Sequence, residues 1–209
     1  MRTPAACLLA LAAAFSAAFS AASAAAFEVP EADVHVVDAH RVDGASLVLN
    51  NAVLFEATVL EIDVYVAALY LPARTARPDE ILACAGPQRL DLRFMRDVDR
   101  DQLVPKWRSE VERRARRRKA LDRHRPAIDA LFASYPGVRE GQIMSFTWRP
   151  AHGLEVAVDG RVRGLVASDA SFCELFFSGF VGKEALYPTM REGLLARPRP
   201  PAAGATALE

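Results

Sequence analysis

The stretch Val64–Pro72, read VYVAALYLP, is the most informative part of this chain. It is apolar on both faces and rich in β-branched and aromatic residues, which predicts a strand buried on two sides. Only Tyr65 and Tyr70 carry polar side-chain atoms in it. They lie five positions apart, so a strand directs them to opposite faces. A buried tyrosine hydroxyl needs a hydrogen-bond partner from protein, water or a ligand, which makes both residues candidates for a binding site.

The composition favours one globular domain. The chain has 209 residues, with 26 basic and 26 acidic side chains and a formal net charge of zero. Without the terminal segments described next, roughly 170 residues remain, which suits a single domain. The overall charge does not favour nucleic acid or an acidic substrate as a partner.

Both chain ends are predicted to lie outside that domain. Residues 1–26 have the features of a signal peptide: Arg2, an Ala-rich apolar run over Ala5–Ala22, and the cleavage motif Ala24-Ala25-Ala26. The alternative is an uncleaved membrane anchor. We expect cleavage before Phe27, a domain over residues 27–196, and a mature protein that is periplasmic or secreted. Residues 197–209 are rich in proline and alanine and predict a disordered tail.

The order of the predicted elements indicates an α+β fold. Strands are predicted within residues 32–71 and 89–95, then helices from 103 to 123 and from 127 to 134, with a break at Arg125-Pro126. Three more strands follow over residues 142–167, where Asp159-Gly160 predicts a tight hairpin. Helices complete the domain. This pattern predicts an antiparallel sheet with helices on one face.

A basic run, Arg113–Lys119, is the strongest local charge feature. Residues 106–125 contain ten Lys or Arg and three acidic side chains. We predict a solvated helix face, and a weak contact with an anionic membrane surface is the alternative. No aromatic side chains alternate with the run to stack on bases, so nucleic acid is not an expected partner.

Motifs for metal, nucleotide or nucleophilic chemistry are missing from the sequence. We therefore predict no cofactor and no metal site. His35 and His40 stand at odd spacing on one predicted strand, so they are expected to face opposite ways. The two cysteines of the mature chain, Cys84 and Cys173, could form a disulfide after export, but their wide spacing does not fix a pairing, and we expect two separate thiols.

Several of these residues could line one cleft between sheet and helices. Leu103, Trp107 and Val111 recur at helical spacing, so Trp107 would face the sheet. Arg93 alternates with the apolar side of its strand. Together with Tyr65 and Tyr70 they would make an apolar cleft with a few polar groups, which is typical of small-molecule sites. The alternative is that they are ordinary core aromatics.

These segments resemble the chalcone isomerase-like domain of exported bacterial proteins. The resemblance covers roughly Glu31–Leu195 and is carried by Leu49-Asn50-Asn51-Ala52, VYVAALYLP, and RFMRDVD from Arg93 with Trp107 downstream. It implies an open-faced β-sandwich, in which a large antiparallel sheet carries helices on one face, with ligands in an apolar cleft between them.

The resemblance also implies what catalysis would need. Plant enzymes of this family cyclise chalcones with an arginine that holds the substrate phenolate, and with a threonine and a tyrosine that stabilise the enolate. Here no arginine occurs between Arg41 and Arg74, Tyr65 stands at the threonine position, and the late-helix threonine or serine falls near Cys173. A missing stabiliser of this kind typically costs ~10²–10³-fold in rate. We therefore do not expect chalcone isomerase activity.

Non-catalytic relatives of this fold bind fatty acids, with an arginine and a tyrosine on the carboxylate. Tyr65 would be that tyrosine, and Arg93 or Arg96 could replace the arginine only by reaching inward. The predicted ligand-binding residues are Tyr65, Tyr70, Arg93, Arg96, Trp107 and Cys173, and the expected function is binding of a fatty acid or similar small apolar molecule. Without an inward cation the ligand would be neutral or held at the rim. The alternatives are an isomerase, an intramolecular lyase, on an unknown substrate and a structural or partner-binding protein.

Overall fold

A computed structural model describes residues 26–57 and 62–196. The predicted tail, nearly all of the predicted signal peptide and positions 58–61 of the predicted strand region lie outside these residues. The strands are β1 Ala26–Val29, β2 Val34–Val37, β3 Ala39–Val42, β4 Ala45–Ala57, β5 Ile62–Leu71, β6 Gln88–Phe94, β7 Ile143–Arg149, β8 Gly153–Val158 and β9 Arg161–Val166. The helices are α1 Pro78–Leu82, α2 Arg100–Arg117, α3 Leu121–Ala133, α4 Ala170–Val181 and α5 Pro188–Leu195.

The central feature is a seven-stranded antiparallel sheet in the order β3-β4-β5-β6-β7-β8-β9. Every pair is antiparallel and adjacent in sequence, so the sheet is a meander. The hairpin predicted at Asp159-Gly160 is present, with φ values of +48° and +73° that suit a type I′ turn. The helices pack on one face of the sheet, which confirms the predicted α+β architecture.

We call the helix-covered side of the sheet the inner face and the opposite side the outer face. Strand β5 is buried on both, as its sequence predicts. Tyr65, Ala67 and Leu69 belong to the large inner core, whereas Val66, Ala68 and Tyr70 pack in a smaller outer core beneath the β1–β2 hairpin. This central position explains why polar residues are nearly absent from the strand.

Strand β4 runs without interruption through Asn50-Asn51. The register shifts between Leu49 and Asn51, so Asn50 is the extra residue of a β-bulge. The Asn50 amide donates to Leu194 O at 2.8 Å and its oxygen accepts from Thr75 N at 2.8 Å, and Asn51 donates to Gly193 O at 2.8 Å. The bulge therefore positions two amides that receive the carboxyl-terminal end of α5.

The long helical region breaks earlier than predicted. Lys119 has φ +53°, and Ala120 N donates to Ala115 O at 2.9 Å, which together form a Schellman motif at the end of α2. Pro126, the predicted break, instead lies inside α3. The left-handed residue decides the boundary because it reverses the chain while satisfying the last carbonyls of α2.

The two cysteines form a disulfide, Cys84–Cys173, against the expectation of separate thiols. Both are buried, at 3% and 0% exposure. The bond joins the end of α1 to α4 across 89 positions of sequence. Sequence spacing could not reveal this pairing, because only the packing of α1 against α4 brings the two residues together.

Candidate functional site

The sheet separates the predicted site residues into two groups. Tyr65 and Trp107 lie on the inner face, where their ring centroids are 6.2 Å apart. Tyr70 and Arg93 line a cavity on the outer face. Arg96 is exposed, and Cys173 is held in the disulfide. The six residues therefore do not line one cleft, because alternate residues of a strand point to opposite sides of the sheet.

A small hollow lies on the inner face between α2, α3 and α4. It has a volume of about 10 Å³, which is room for at most one water molecule. Aromatic rings form most of its lining, namely Trp107, Phe132, Tyr135, Phe176 and Phe180. The hollow also contains one charged group, the guanidinium of Arg114.

Arg114 is the residue that sequence reasoning missed. It lies in the basic run that was predicted to be solvated, yet it is only 3% exposed. Its position continues the inward stripe of α2, because Arg114 follows Val111 by three residues and Trp107 by seven. Extending the helical period by one more step would have placed this arginine in the core.

Two nitrogen atoms of the Arg114 guanidinium are buried without a hydrogen-bond partner among the described residues. Nε and Nη1 are buried, and neither makes a hydrogen bond with any residue between 26–57 or 62–196. Burial lowers the pKa of Arg114 to about 10, although the nearby Glu110 raises it. Gly179 of α4 leaves space for the group, since a Cβ there would stand 2.7 Å from Nη2. A buried cation of this kind normally has an anionic partner.

Two tyrosines accompany the arginine on the inner face. Tyr135 lines the hollow, and its ring lies 5.6 Å from that of Trp107. Burial raises the pKa of Tyr135 well above its usual value, and the neighbouring Tyr65 raises it further. Burial likewise raises the pKa of Tyr65, with a smaller effect from Tyr187. Both tyrosines stay protonated at neutral pH, so they can donate hydrogen bonds to an anion but cannot act as bases.

Four other arginines of the basic run pair with acidic neighbours. Arg113 pairs with Glu110, and Arg116 pairs with Glu112 at 3.0 Å. The two following arginines reach other helices and loops: Arg117 to Glu184 at 2.9 Å and Arg118 to Glu174 at 2.6 Å. The run is therefore a set of ion pairs that tie α2 to its surroundings, which reduces its attraction for an anionic membrane surface.

The outer-face cavity is much larger, with a volume of about 290 Å³. Its floor is formed by strands β5, β6 and β7, and the β2 and β3 region forms one wall. His35 and His40 both line it, although the sequence predicted opposite directions, because the chain bends at Asp38 and places them on separate strands. Val66, Ala68 and Tyr70 supply apolar surface.

A polar cluster centred on Asp91 crosses the floor of this cavity. Arg89 Nε donates to Asp91 Oδ1 at 2.7 Å, and Arg89 Nη2 donates to Ser145 Oγ at 2.7 Å. His40 Nε2 lies 3.2 Å from Asp91 Oδ2 but is not aligned for a hydrogen bond. Burial raises the pKa of Asp91, but the neighbouring His40 and Arg89 outweigh it and hold the pKa below its usual value. The carboxylate is therefore ionised at neutral pH.

No three potential metal ligands cluster anywhere in the described ranges. Within the same ranges, no helix is both long enough and apolar enough to cross a membrane. Two candidate binding sites have been described: the Arg114 hollow on the inner face and the cavity on the outer face.

Comparison with known proteins identifies the class. The sequence profile of the chalcone isomerase-like family matches residues 28–196. This chain belongs to the chalcone isomerase-like family.

Among solved structures, a crystal structure of an Arabidopsis thaliana fatty-acid binding protein is similar, with a TM-score of 0.67 at 16% sequence identity. The alignment covers 82% of this chain and 96% of that one. At this identity the similarity shows a common fold. No curated protein sequence matches this chain.

Proposed function

We propose that this protein binds a fatty acid, or a similar amphipathic acid, on the inner face of the sheet and does not catalyse a reaction. The observation that carries the proposal is the buried guanidinium of Arg114, whose Nε and Nη1 find no acceptor in the described residues. A carboxylate at this position would accept charge-assisted hydrogen bonds and offset the desolvation of the arginine. Tyr135 would supply a second donor from the lining of the same hollow.

Arg114 changes the nature of the expected ligand. The sequence suggested a cleft without a cation, and hence a neutral or rim-bound molecule. The guanidinium from α2 supplies that cation from a helix instead of a strand. The ligand is therefore an acid whose headgroup is buried, and its apolar part packs among the aromatic rings around Trp107 and Phe176.

Binding requires the inner face to open. A volume of about 10 Å³ does not accommodate an acyl chain, so the ligand must displace aromatic side chains or separate α2 from α4. Three observations favour opening at the contact between α2 and α4. Arg114 has unsatisfied donors there, Gly179 leaves α4 without a side chain against it, and Trp107 is only half-buried. We expect amide hydrogen exchange in α2 to slow when ligand is bound.

The test uses protein stripped of lipid, with dodecanoate and its methyl ester as probes. Tryptophan fluorescence follows binding, since Trp107 lines the hollow. Replacing Arg114 with Met should weaken dodecanoate binding by about tenfold or more while leaving the ester unaffected. Arg116→Met, at an exposed position on the same helix, is the matched control. Equal dodecanoate affinity in the Arg114→Met and parent proteins would rule out the proposed headgroup site.

Export is the second part of the proposal. The buried Cys84–Cys173 disulfide supports an oxidising compartment, because such bonds are rare in reducing cytosol. Cleavage before Phe27 leaves strand β1 still paired with β2 from Phe27↔Val36 onward. Intact-mass analysis of protein from the periplasmic fraction should give an amino terminus at Phe27. Recovery of the uncleaved chain from the cytosol, with both thiols free, would contradict this part.

A further inference from the structure

We propose that the outer-face cavity is a second binding site, for a small carboxylic acid with a compact apolar body. It lies on the opposite side of the sheet from the Arg114 hollow and does not depend on the function proposed there. Its volume of about 290 Å³ is close to the lower end, ~300 Å³, of known small-molecule sites. It is preformed, whereas the inner hollow must open.

Two carboxylates face the cavity, and each already accepts a hydrogen bond from the protein. Asp91 lies between Arg89 and His40, at 2.7 Å and 3.2 Å. Asp159 Oδ1 accepts from Ile143 N at 2.9 Å, and Asp159 Oδ2 accepts from the side chain of Gln142 at 2.9 Å. Asp91 is therefore ion-paired with Arg89, and both oxygens of Asp159 are engaged.

Other polar groups of the cavity are open to a ligand. Tyr70 is 1% exposed and lines the cavity. His40 Nε2 is buried and has no hydrogen-bond partner among residues 26–57 and 62–196. Arg93 lines the same cavity two residues beyond Asp91 and forms no ion pair with any described residue.

The guanidinium of Arg93, which has no ion-pair partner among the described residues, defines the ligand chemistry. A carboxylate offers two acceptor oxygens together with a charge that complements Arg93. The remaining surface, from Val36, Val66, Ala68 and Ile143, is apolar and suits a ring or a short branched chain. The outer-face cavity therefore fits a compact acid better than a long acyl chain or a cation.

Benzoate is the test probe, and benzamide is its neutral counterpart. Titrations of the purified protein are followed by amide NMR, which distinguishes the two faces: signals of Ile143 and Gly160 report on the outer-face cavity, and signals of α2 report on the inner face. We expect saturable shifts at the outer face with benzoate and binding at least about tenfold weaker with benzamide. Arg93→Gln should weaken benzoate binding to a similar degree, and Tyr70→Phe to a smaller one.

Arg96→Gln is the matched control, because Arg96 is exposed and does not line the cavity. Three results would overturn the proposal: shifts that never saturate, equal affinity for benzoate and benzamide, or unchanged benzoate affinity in Arg93→Gln. Because the readout is specific to the outer face, a failure here leaves the dodecanoate experiment on Arg114 unaffected. Similarly, a failure at Arg114 leaves this one intact.

Discussion

Replacing Arg114 with Met should make the lipid-free protein more stable. The side chain is 3% exposed, and burial lowers its pKa from the ordinary arginine value to about 10. At about 1.4 kcal/mol per pKa unit, the charge costs the folded state roughly 3 kcal/mol. Methionine keeps most of the apolar packing but fills less space than arginine. The lost packing costs the variant about 1 kcal/mol. We therefore expect the free energy of unfolding to rise by about 2 kcal/mol.

The assay is urea denaturation of lipid-free protein at neutral pH, with Arg116→Met as the control. Arg116 is exposed and pairs with Glu112 at 3.0 Å, so its loss should change stability by no more than about 0.5 kcal/mol. The penalty at Arg114 applies wherever the folded state holds the proton, which is below pH 10 or so. Between that pH and the ordinary pKa of arginine the unfolded chain binds more protons, so stability rises with pH and the advantage of the variant shrinks.

A loss of more than about 1 kcal/mol in Arg114→Met, with the control unchanged, would refute the reasoning. It would mean that the guanidinium is satisfied inside the protein and that no ligand is needed to complete it. A gain in stability together with a loss of dodecanoate binding would show that the protein gives up stability at Arg114 in order to bind its ligand.

Four further predictions concern the scaffold. Cys84→Ser with Cys173→Ser should lower the free energy of unfolding by about 4 kcal/mol, measured by urea denaturation, because the bond closes a long loop. Lys119→Gly should raise it by about 1 kcal/mol, because φ is +53° there, and a drop would refute a left-handed cap. Asn50→Ala should lower the thermal midpoint with a cost of about 2 kcal/mol, since Leu194 O and Thr75 N lose their partner. Asp169 caps α4 through Ser171 N and Phe172 N, and hydrogen bonds from the Ser171 hydroxyl, Arg123 and Phe172 N lower its pKa to about 2. Its stabilisation should be present above pH 3.8 and lost toward pH 2, a pH dependence absent in Asp169→Asn.

Much of the fold could be predicted because the deciding signals are local. The two-sided burial of β5, the alternation of β6 and the turn at Asp159-Gly160 follow from residue type and spacing alone. The bulge in β4 could not be predicted, because the side-chain amides of Asn50 and Asn51 donate to backbone carbonyls about 140 residues away. The end of α2 was also missed, because a lysine adopts the left-handed conformation that usually belongs to glycine.

The sequence by itself determined the class of fold and the tyrosines on either side of the central strand. Only the tertiary structure decided which groups share a site. It placed Tyr65 with Trp107 and the Arg114 hollow, and it placed Tyr70 with Arg93 and the Asp91 cluster. Sequence periodicity shows on which face of a helix or strand a side chain lies. It does not show whether that face is buried. The burial of Arg114, and with it the pKa and binding capacity of this residue, depends on α4 packing against α2 through Gly179.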